Sequence, residues 1–457
     1  MDTLRDVRAR VGEWFGHVAL RSPSRLALAA FALVILLFTA LLSLPAATTS
    51  GQRAPFIDAL FTATSAVCVT GLVTVDTGTY WSPIGLTIIA TGIKVGGLGI
   101  MTLASLIGLA VSRRLGLTQR LLAAGEARAT GLGDLRSLLR TVLIVSTSVE
   151  LVIAAILIPR FITLDYGFWK SIGYSVFYGI SAFNNAGFTP DPAGLYGFSH
   201  DFWVLIPIGL GVFIGGLGYP VYLNLIRNWR HPRRWSLHTK LTLVMVSALA
   251  VISAGLLAIF EWSNPDTLGD HSAADTAGNL FFQSINQRSG GFASFDIGQA
   301  REQTWLLEDV LMFIGGGSGS TAGGIRVTTV AVLLLAIWAE ARGRRDMEAF
   351  GKRIGTEVLR GAVAITMIGI AIVTIGTGVF MAQTDIPLDR ALYEVISAYA
   401  TCGLSTGITA DLPTEAKTTL IILMYVGRVG SMTIAAALAL NKQRRVIRYP
   451  SERPIIG

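Results

Sequence analysis

The 457-residue chain is 52% hydrophobic and only 14% charged, with 50 glycines and a formal net charge of +8. This composition excludes an ordinary soluble globule and points to an all-α integral membrane protein. The positive excess is topological and does not signal nucleic-acid binding: 27 of the 37 Lys and Arg residues lie in five polar stretches, 1–25, 113–140, 227–240, 342–360 and 442–457.

If those stretches are all cytoplasmic, the positive-inside bias is met and every block between them crosses the membrane an even number of times. The expectation is eight transmembrane helices in four blocks, with N and C termini cytoplasmic. In chain order the organisation is a cytoplasmic segment 1–25, repeat 1 over 26–112, a connection 113–140, repeat 2 over 141–226, and a connection 227–239. Repeat 3 follows over 240–341, a connection over 342–358, repeat 4 over 359–441 and a cytoplasmic tail over 442–457. Apolar runs such as Leu26 to Leu44, Val142 to Pro159, Leu241 to Phe260 and Ala362 to Met381 open the blocks. Most approach the roughly 20 residues that a membrane helix needs. The first run is longer than the apolar core of a signal peptide, about 7 to 15 residues, and reads as a permanent helix.

Each block then carries a shorter mixed segment: Pro55 to Thr70, Phe168 to Ala186, Ala274 to Gly290 and Asp389 to Cys402. These hold too much Ser, Thr, Asn and Gln to face lipid, so they are expected to dip in as pore helices followed by buried loops. Each leads to a glycine and a large apolar residue, in CVTGL, NNAGF, RSGGF and ATCGL, so that Gly71, Gly187, Gly291 and Gly403 recur at intervals of 116, 104 and 112 residues. The second helices carry a further landmark: Gly96-Gly97-Leu98-Gly99, Gly215-Gly216-Leu217-Gly218, the run from Gly315, and Gly427-Arg428-Val429-Gly430. Two matched landmarks per block read as an internal repeat.

Irregular backbone at membrane depth is tolerated where it lines a cavity or is buried in protein. Four such segments can converge as a ring of carbonyls that replaces the water around a cation. The candidate selectivity filter is Val69, Thr70 and Gly71 with Asn185, Ala186 and Gly187, Ser289, Gly290 and Gly291, and Thr401, Cys402 and Gly403.

Five stretches carry a resemblance. They are Thr64-Ser65-Ala66 through Val69-Thr70-Gly71-Leu72, Ser181 through Phe188, Leu237-His238-Thr239-Lys240, Ser320-Thr321-Ala322-Gly323-Gly324-Ile325, and Gly427-Arg428-Val429-Gly430. Over nearly its whole length the chain resembles the Trk/Ktr/HKT superfamily of potassium transporters, and within it the KtrB-like membrane subunits of bacterial Ktr systems. The resemblance implies four helix-pore loop-helix repeats with pseudo-fourfold symmetry, each supplying one filter glycine, and K+ as the transported ion at the filter backbone carbonyls. It implies a multi-pass protein of the cytoplasmic membrane that works in lipid as a homodimer on a cytoplasmic nucleotide-binding regulatory ring of KtrA type. The tail residues 452–457 are then expected at the dimer interface.

Na+ as a coupling or activating ion stays open, and no organic cofactor is expected on this chain. Serine at the first filter position is associated with sodium permeation in this superfamily, so Gly71 implies potassium. The alternative is a sodium-permeable or non-selective cation channel of the same fold. Three positions depart from the pattern: Gly290 where Ala is more frequent, Lys94 where glutamine is common and Ser431 in place of a usual proline.

The run Gly315-Gly316-Gly317-Ser318-Gly319-Ser320-Thr321-Ala322-Gly323-Gly324 holds six glycines. Each costs a helix about 1 kcal/mol relative to alanine, so the second helix of repeat 3 should break there. The run lacks the Gly-Lys-Ser/Thr ending of a phosphate-binding loop, and the resemblance implies an intramembrane loop that gates the pore.

Lys94, Arg288, Arg326 and Arg428 are charges within expected spans and need partners. For Arg428 the expected partner is Glu394, forming a pore-supporting ion pair behind the filter. Glu150 and Glu261 read as anchors, and Asp76, Asp191 and Asp296 as a source of outer negative potential. The five histidines include no metal-type pair, and Cys68 and Cys402 define no zinc cluster. A membrane-embedded enzyme is therefore the weaker hypothesis, with no catalytic residue assigned.

Overall fold

A computed structural model of the chain describes residues 23–113, 132–192 and 194–430, with side chains over 28–99, 140–192 and 194–430. Ser431, residues 1–22, most of the connection 113–140 and the tail 442–457 lie outside the described residues. The described chain is mostly helical.

In chain order the described helices fall into four blocks, each with a long helix, a short helix and one or two further helices. Block 1 holds α1 (Pro23–Leu42), α2 (Phe56–Cys68) and α3 (Pro83–Arg113). Block 2 holds α4 (Leu132–Thr163), α5 (Phe168–Asn184) and the pair α6 (Phe202–Gly215) and α7 (Tyr219–Asn228). Block 3 holds α8 (Leu237–Glu261), α9 (Ala273–Asn286), α10 (Glu302–Phe313) and α11 (Val327–Ala341). After a two-stranded hairpin of β1 (Met347–Ala349) and β2 (Lys352–Ile354), block 4 holds α12 (Thr356–Gln383), α13 (Leu388–Tyr399) and α14 (Thr414–Tyr425).

Among the described residues, three helices are long and apolar enough to cross a membrane: Arg140–Thr163, Leu237–Glu261 and Thr356–Gln383. The bent pair α6 and α7 makes a fourth if counted as one span. The short helices α2, α5, α9 and α13 have 13, 17, 14 and 12 residues, below the roughly 20 needed to span. Their boundaries follow local chemistry. Pro55 and Pro387 precede α2 and α13, where a fixed φ and a missing N–H cost the helix nothing. The Ser272 hydroxyl caps α9 by accepting from the Asp275 amide, and Ser236 caps α8 through Thr239 in the same way.

The further helices differ at their glycine landmark. In block 1, α3 runs through Gly96-Gly97-Leu98-Gly99 without interruption. In block 2 the same residue pattern bends by 95° between α6 and α7, with Gly218 at φ +92° and Pro220 in the first turn of α7. In block 3, α10 ends at Phe313 and helix resumes only at Val327. In block 4, α14 passes into a π turn over Val426–Gly430. Departure from a straight helix is thus shared by three blocks and is not confined to the third.

Candidate functional site

The residues at the ends of the short helices meet. After α2 and α5 the chain turns through left-handed Val69 and Asn185, and after α13 through left-handed Thr401, each two residues before its glycine. Gly71, Gly187, Gly291 and Gly403 themselves have φ between +70° and +100°, a region open to glycine and strained for other residues.

The four glycines abut in a closed order. A Cβ added to Gly71 would meet the Ala186 carbonyl oxygen and lie 3.2 Å from Gly187 Cα; one on Gly187 would lie 2.8 Å from Gly291 Cα. One on Gly291 would meet the Cys402 oxygen, and one on Gly403 would meet the Thr70 oxygen and lie 3.0 Å from Gly71 Cα. A side chain at any of the four would occupy space that a neighbouring segment's backbone fills. Gly290 is also constrained, since a Cβ there would lie 2.8 Å from Val212 Cγ1 and press on the Asn286 amide.

Serines six residues before the glycine brace three of the segments. Ser65 and Ser397 accept from the amides of Gly71 and Gly403 at 3.0 and 3.1 Å, and Ser181 donates to the Phe188 carbonyl at 2.8 Å. Their common spacing was available as a signal. Block 3 has Ile285 at that position and lacks the brace.

The second landmark acquires a physical role. A Cβ on Gly96, Gly215 or Gly427 would strike the carbonyl of Val67, Phe183 or Tyr399, in each case four residues before a ring glycine. On Gly315 the obstacle is instead the Gly323 carbonyl, within the 314–326 connection. In block 3 the landmark glycine thus abuts the glycine-rich connection, whereas in the other three it abuts the last turn of a short helix.

That connection packs on residues preceding the ring glycines. The Thr321 hydroxyl faces Asn185 Oδ1 at 3.0 Å, the Gly215 carbonyl at 3.2 Å and the Phe183 carbonyl at 3.4 Å. The Gly323 amide donates to Ser289 Oγ at 3.1 Å, and the Gly317 amide to the Gly216 carbonyl at 2.8 Å. Arg326 donates to the Ala322 carbonyl and Arg428 to the Thr321 carbonyl. On the other side, a cavity of about 500 Å³ is lined by the four glycines and the residues that follow them, including Phe188, Phe292 and Leu404.

Arg428 and Glu394 do not pair. Arg428 points to the connection, while Glu394 accepts from the Thr406 amide at 3.1 Å, Thr409 Oγ1 at 2.9 Å and Ser405 at 2.5 Å. Carbonyl dipoles at a helix break and the turn after Gly403 offer each group nearer partners, so the expected ion pair is replaced by two separate hydrogen-bonded sites. Arg288 likewise donates to the Val246 carbonyl at 2.9 Å. Of the four charges expected in spans, Lys94 alone meets a carboxylate among the described residues, Glu150 at 2.6 Å.

The other carboxylates divide by exposure. Asp76 and Asp296 are exposed and cap short turns, accepting from Thr79 and Gly298 amides. Asp191 is only 5% exposed and accepts from the Tyr166 and Tyr178 hydroxyls, both at 2.7 Å. Burial raises its carboxyl above the ordinary range, against the downward pull of those hydroxyls. It is therefore a structural acceptor rather than part of an exposed acidic surface. Glu308 joins two short helices, accepting from Gln283 of α9 and Tyr393 of α13 at 2.6 Å each. Cys68 and Cys402 are buried free thiols, and no cluster of metal-ligating side chains occurs among the described residues.

The family model TrkH, described as cation transport protein, matches residues 27–449. The chain is 36% identical to the Ktr system potassium uptake protein B of Bacillus subtilis, covering 95% of this chain and 97% of that protein. It is 33% identical to the potassium/sodium uptake protein NtpJ of Enterococcus hirae, with the same two coverages. The fold is similar to the crystal structure of the potassium transporter TrkH from Vibrio parahaemolyticus, with a TM-score of 0.68 at 18% identity over 90% of this chain and 84% of that one. This is a family of cation transporters and not of enzymes, and its apolar helices make the chain a multi-pass protein of the cell membrane. The chain belongs to the TrkH cation transport protein family.

Proposed function

We propose that the chain conducts K+ across the cell membrane through a pore whose selectivity filter is formed by the segments ending in Gly71, Gly187, Gly291 and Gly403. The observation that carries this reading is their closed order of contact, in which each glycine is pressed against the backbone of the next. Backbone carbonyls from four segments can replace the hydration shell of one cation, and the cavity beyond them would admit ions from the outer side. The relatives' names support potassium as the ion.

The 314–326 connection acts as the gate in this proposal. It packs against Asn185, Ser289 and Thr401, on the side of the ring away from the cavity. Arg326 and Arg428 hold it by donating to its carbonyls. Glu394 supports the turn after Gly403. The names of Ktr-system relatives favour a membrane subunit within a multicomponent system, here a homodimer regulated by a cytoplasmic nucleotide-binding ring of KtrA type. Sodium permeation is the second reading, favoured by the potassium/sodium name of one relative.

The purified chain in liposomes should take up rubidium, a K+ surrogate, and external K+ should suppress that uptake more strongly than equal Na+. Equal suppression by the two ions would replace the first reading with the second. No cation flux with or without the regulatory partner would overturn both.

A further inference from the structure

The junction of blocks 1 and 2 contains a Lys–Glu pair beside the end of α5. Lys94 lies two residues before its glycine landmark, where the other blocks have Phe213, Phe313 and Tyr425. Its Nζ sits 2.6 Å from Glu150 Oε2 and 2.7 Å from Oε1, and donates to Ser146 Oγ at 3.0 Å. Glu150, 6% exposed, accepts a second kind of donor: Asn184 Nδ2, at 3.0 Å from Oε1. Asn184 is the last residue of α5, immediately before left-handed Asn185 and three residues before Gly187.

Close packing leaves Asn184 little freedom. Its Nδ2 also donates to the Ile180 carbonyl at 2.9 Å, and its Oδ1 lies where a Cβ on Gly97 would sit. A Cβ on Gly179 would collide with the backbone of Glu150, so α4 and α5 touch at that turn. Three helices, α3, α4 and α5, therefore converge on one amide. A carboxylate in such a setting requires a counter-charge, which Lys94 supplies.

We propose that Lys94 and Glu150 are positioning residues for the second filter segment, setting through Asn184 the register in which Ala186 and Gly187 enter the ring, and so contribute to discrimination between K+ and Na+. This rests on the filter reading above. A hydrogen bond to a charged acceptor holds its donor more firmly than a neutral one, so a graded response to the acceptor is expected.

Two double variants test it: Lys94→Met with Glu150→Leu, and Lys94→Gln with Glu150→Gln. Replacing both charges avoids leaving one buried alone, and an apolar replacement of a buried pair is often neutral or stabilising. The Met/Leu variant, which leaves Asn184 only the Ile180 carbonyl as acceptor, should fold with a melting temperature near that of the parent, yet lose about tenfold in the K+ over Na+ uptake ratio, the change that about 1.4 kcal/mol produces. The Gln/Gln variant retains a neutral acceptor and should lose roughly threefold.

A parental ratio in either folded variant overturns the proposal, provided that Gly187→Ser, measured alongside, lowers the ratio. If Gly187→Ser also leaves it unchanged, the filter reading itself has failed. Failure of both double variants to fold would assign the pair to stability alone and likewise overturn the proposal.

Discussion

Replacing Gly187 by serine places the first side-chain carbon 2.8 Å from Gly291 Cα and 2.9 Å from both its carbonyl carbon and its oxygen. Ordinary contact between carbon atoms is about 3.5 to 4.0 Å, so the second and third segments must part by roughly 1 Å or less. The residue would also hold a φ of +70°, which costs a non-glycine residue about 1–2 kcal/mol. Clash and dihedral strain together come to about 2–3 kcal/mol. If roughly half of that is relieved by widening the ring, the K+ over Na+ ratio should fall about tenfold.

The assay is parallel uptake of labelled rubidium and sodium into proteoliposomes, normalised to reconstituted protein. Gly173→Ser is the control, because Gly173 lies in the same α5 helix with open space where its Cβ would stand. Equal ratios for the two variants at equal protein levels would refute the reasoning.

Deleting 317–323 removes the residues that touch Asn185, Ser289 and the backbone of α6, and should raise K+ flux in the absence of any regulator; parental flux with intact regulation would count against a gate there. His271 tests the outer surface. Burial first, and then the stacked His200 ring 4.5 Å away, hold its imidazole below the ordinary range, with Asp275 and Asp270 opposing. A depressed imidazole pKa favours the neutral form in the fold, so its contribution is complete above the ordinary value and is lost as pH falls. The thermal midpoint should therefore drop between about pH 7.5 and about pH 5, and His271→Gln should flatten that slope; an unchanged slope would rule out this histidine as its source.

Much of the site could be read from residue order because its geometry can be met only by glycine. Positive φ at Gly403 and backbone contact at Gly96 both forbid a side chain, and such prohibitions leave a visible pattern. The bend in block 2 was not legible in its landmark, since Gly-Gly-Leu-Gly is straight in α3 and bent between α6 and α7. The usable signal was Pro220, which cannot continue a helix through the missing N–H. The Arg428 partner was misjudged for a different reason. A guanidinium can donate to a carbonyl oxygen as well as to a carboxylate, and the carbonyls exposed by a broken helix are invisible in the residue alphabet.

Thr321 has one hydroxyl proton and three acceptors within 3.4 Å, belonging to Asn185, Gly215 and Phe183. A hydroxyl can donate to only one of them at a time. Rotation about a single side-chain bond would therefore transfer the attachment from the Asn185 amide to the α6 backbone. If the connection moves as the proposed gate, it can shift its footing by exchange of this bond rather than by its rupture.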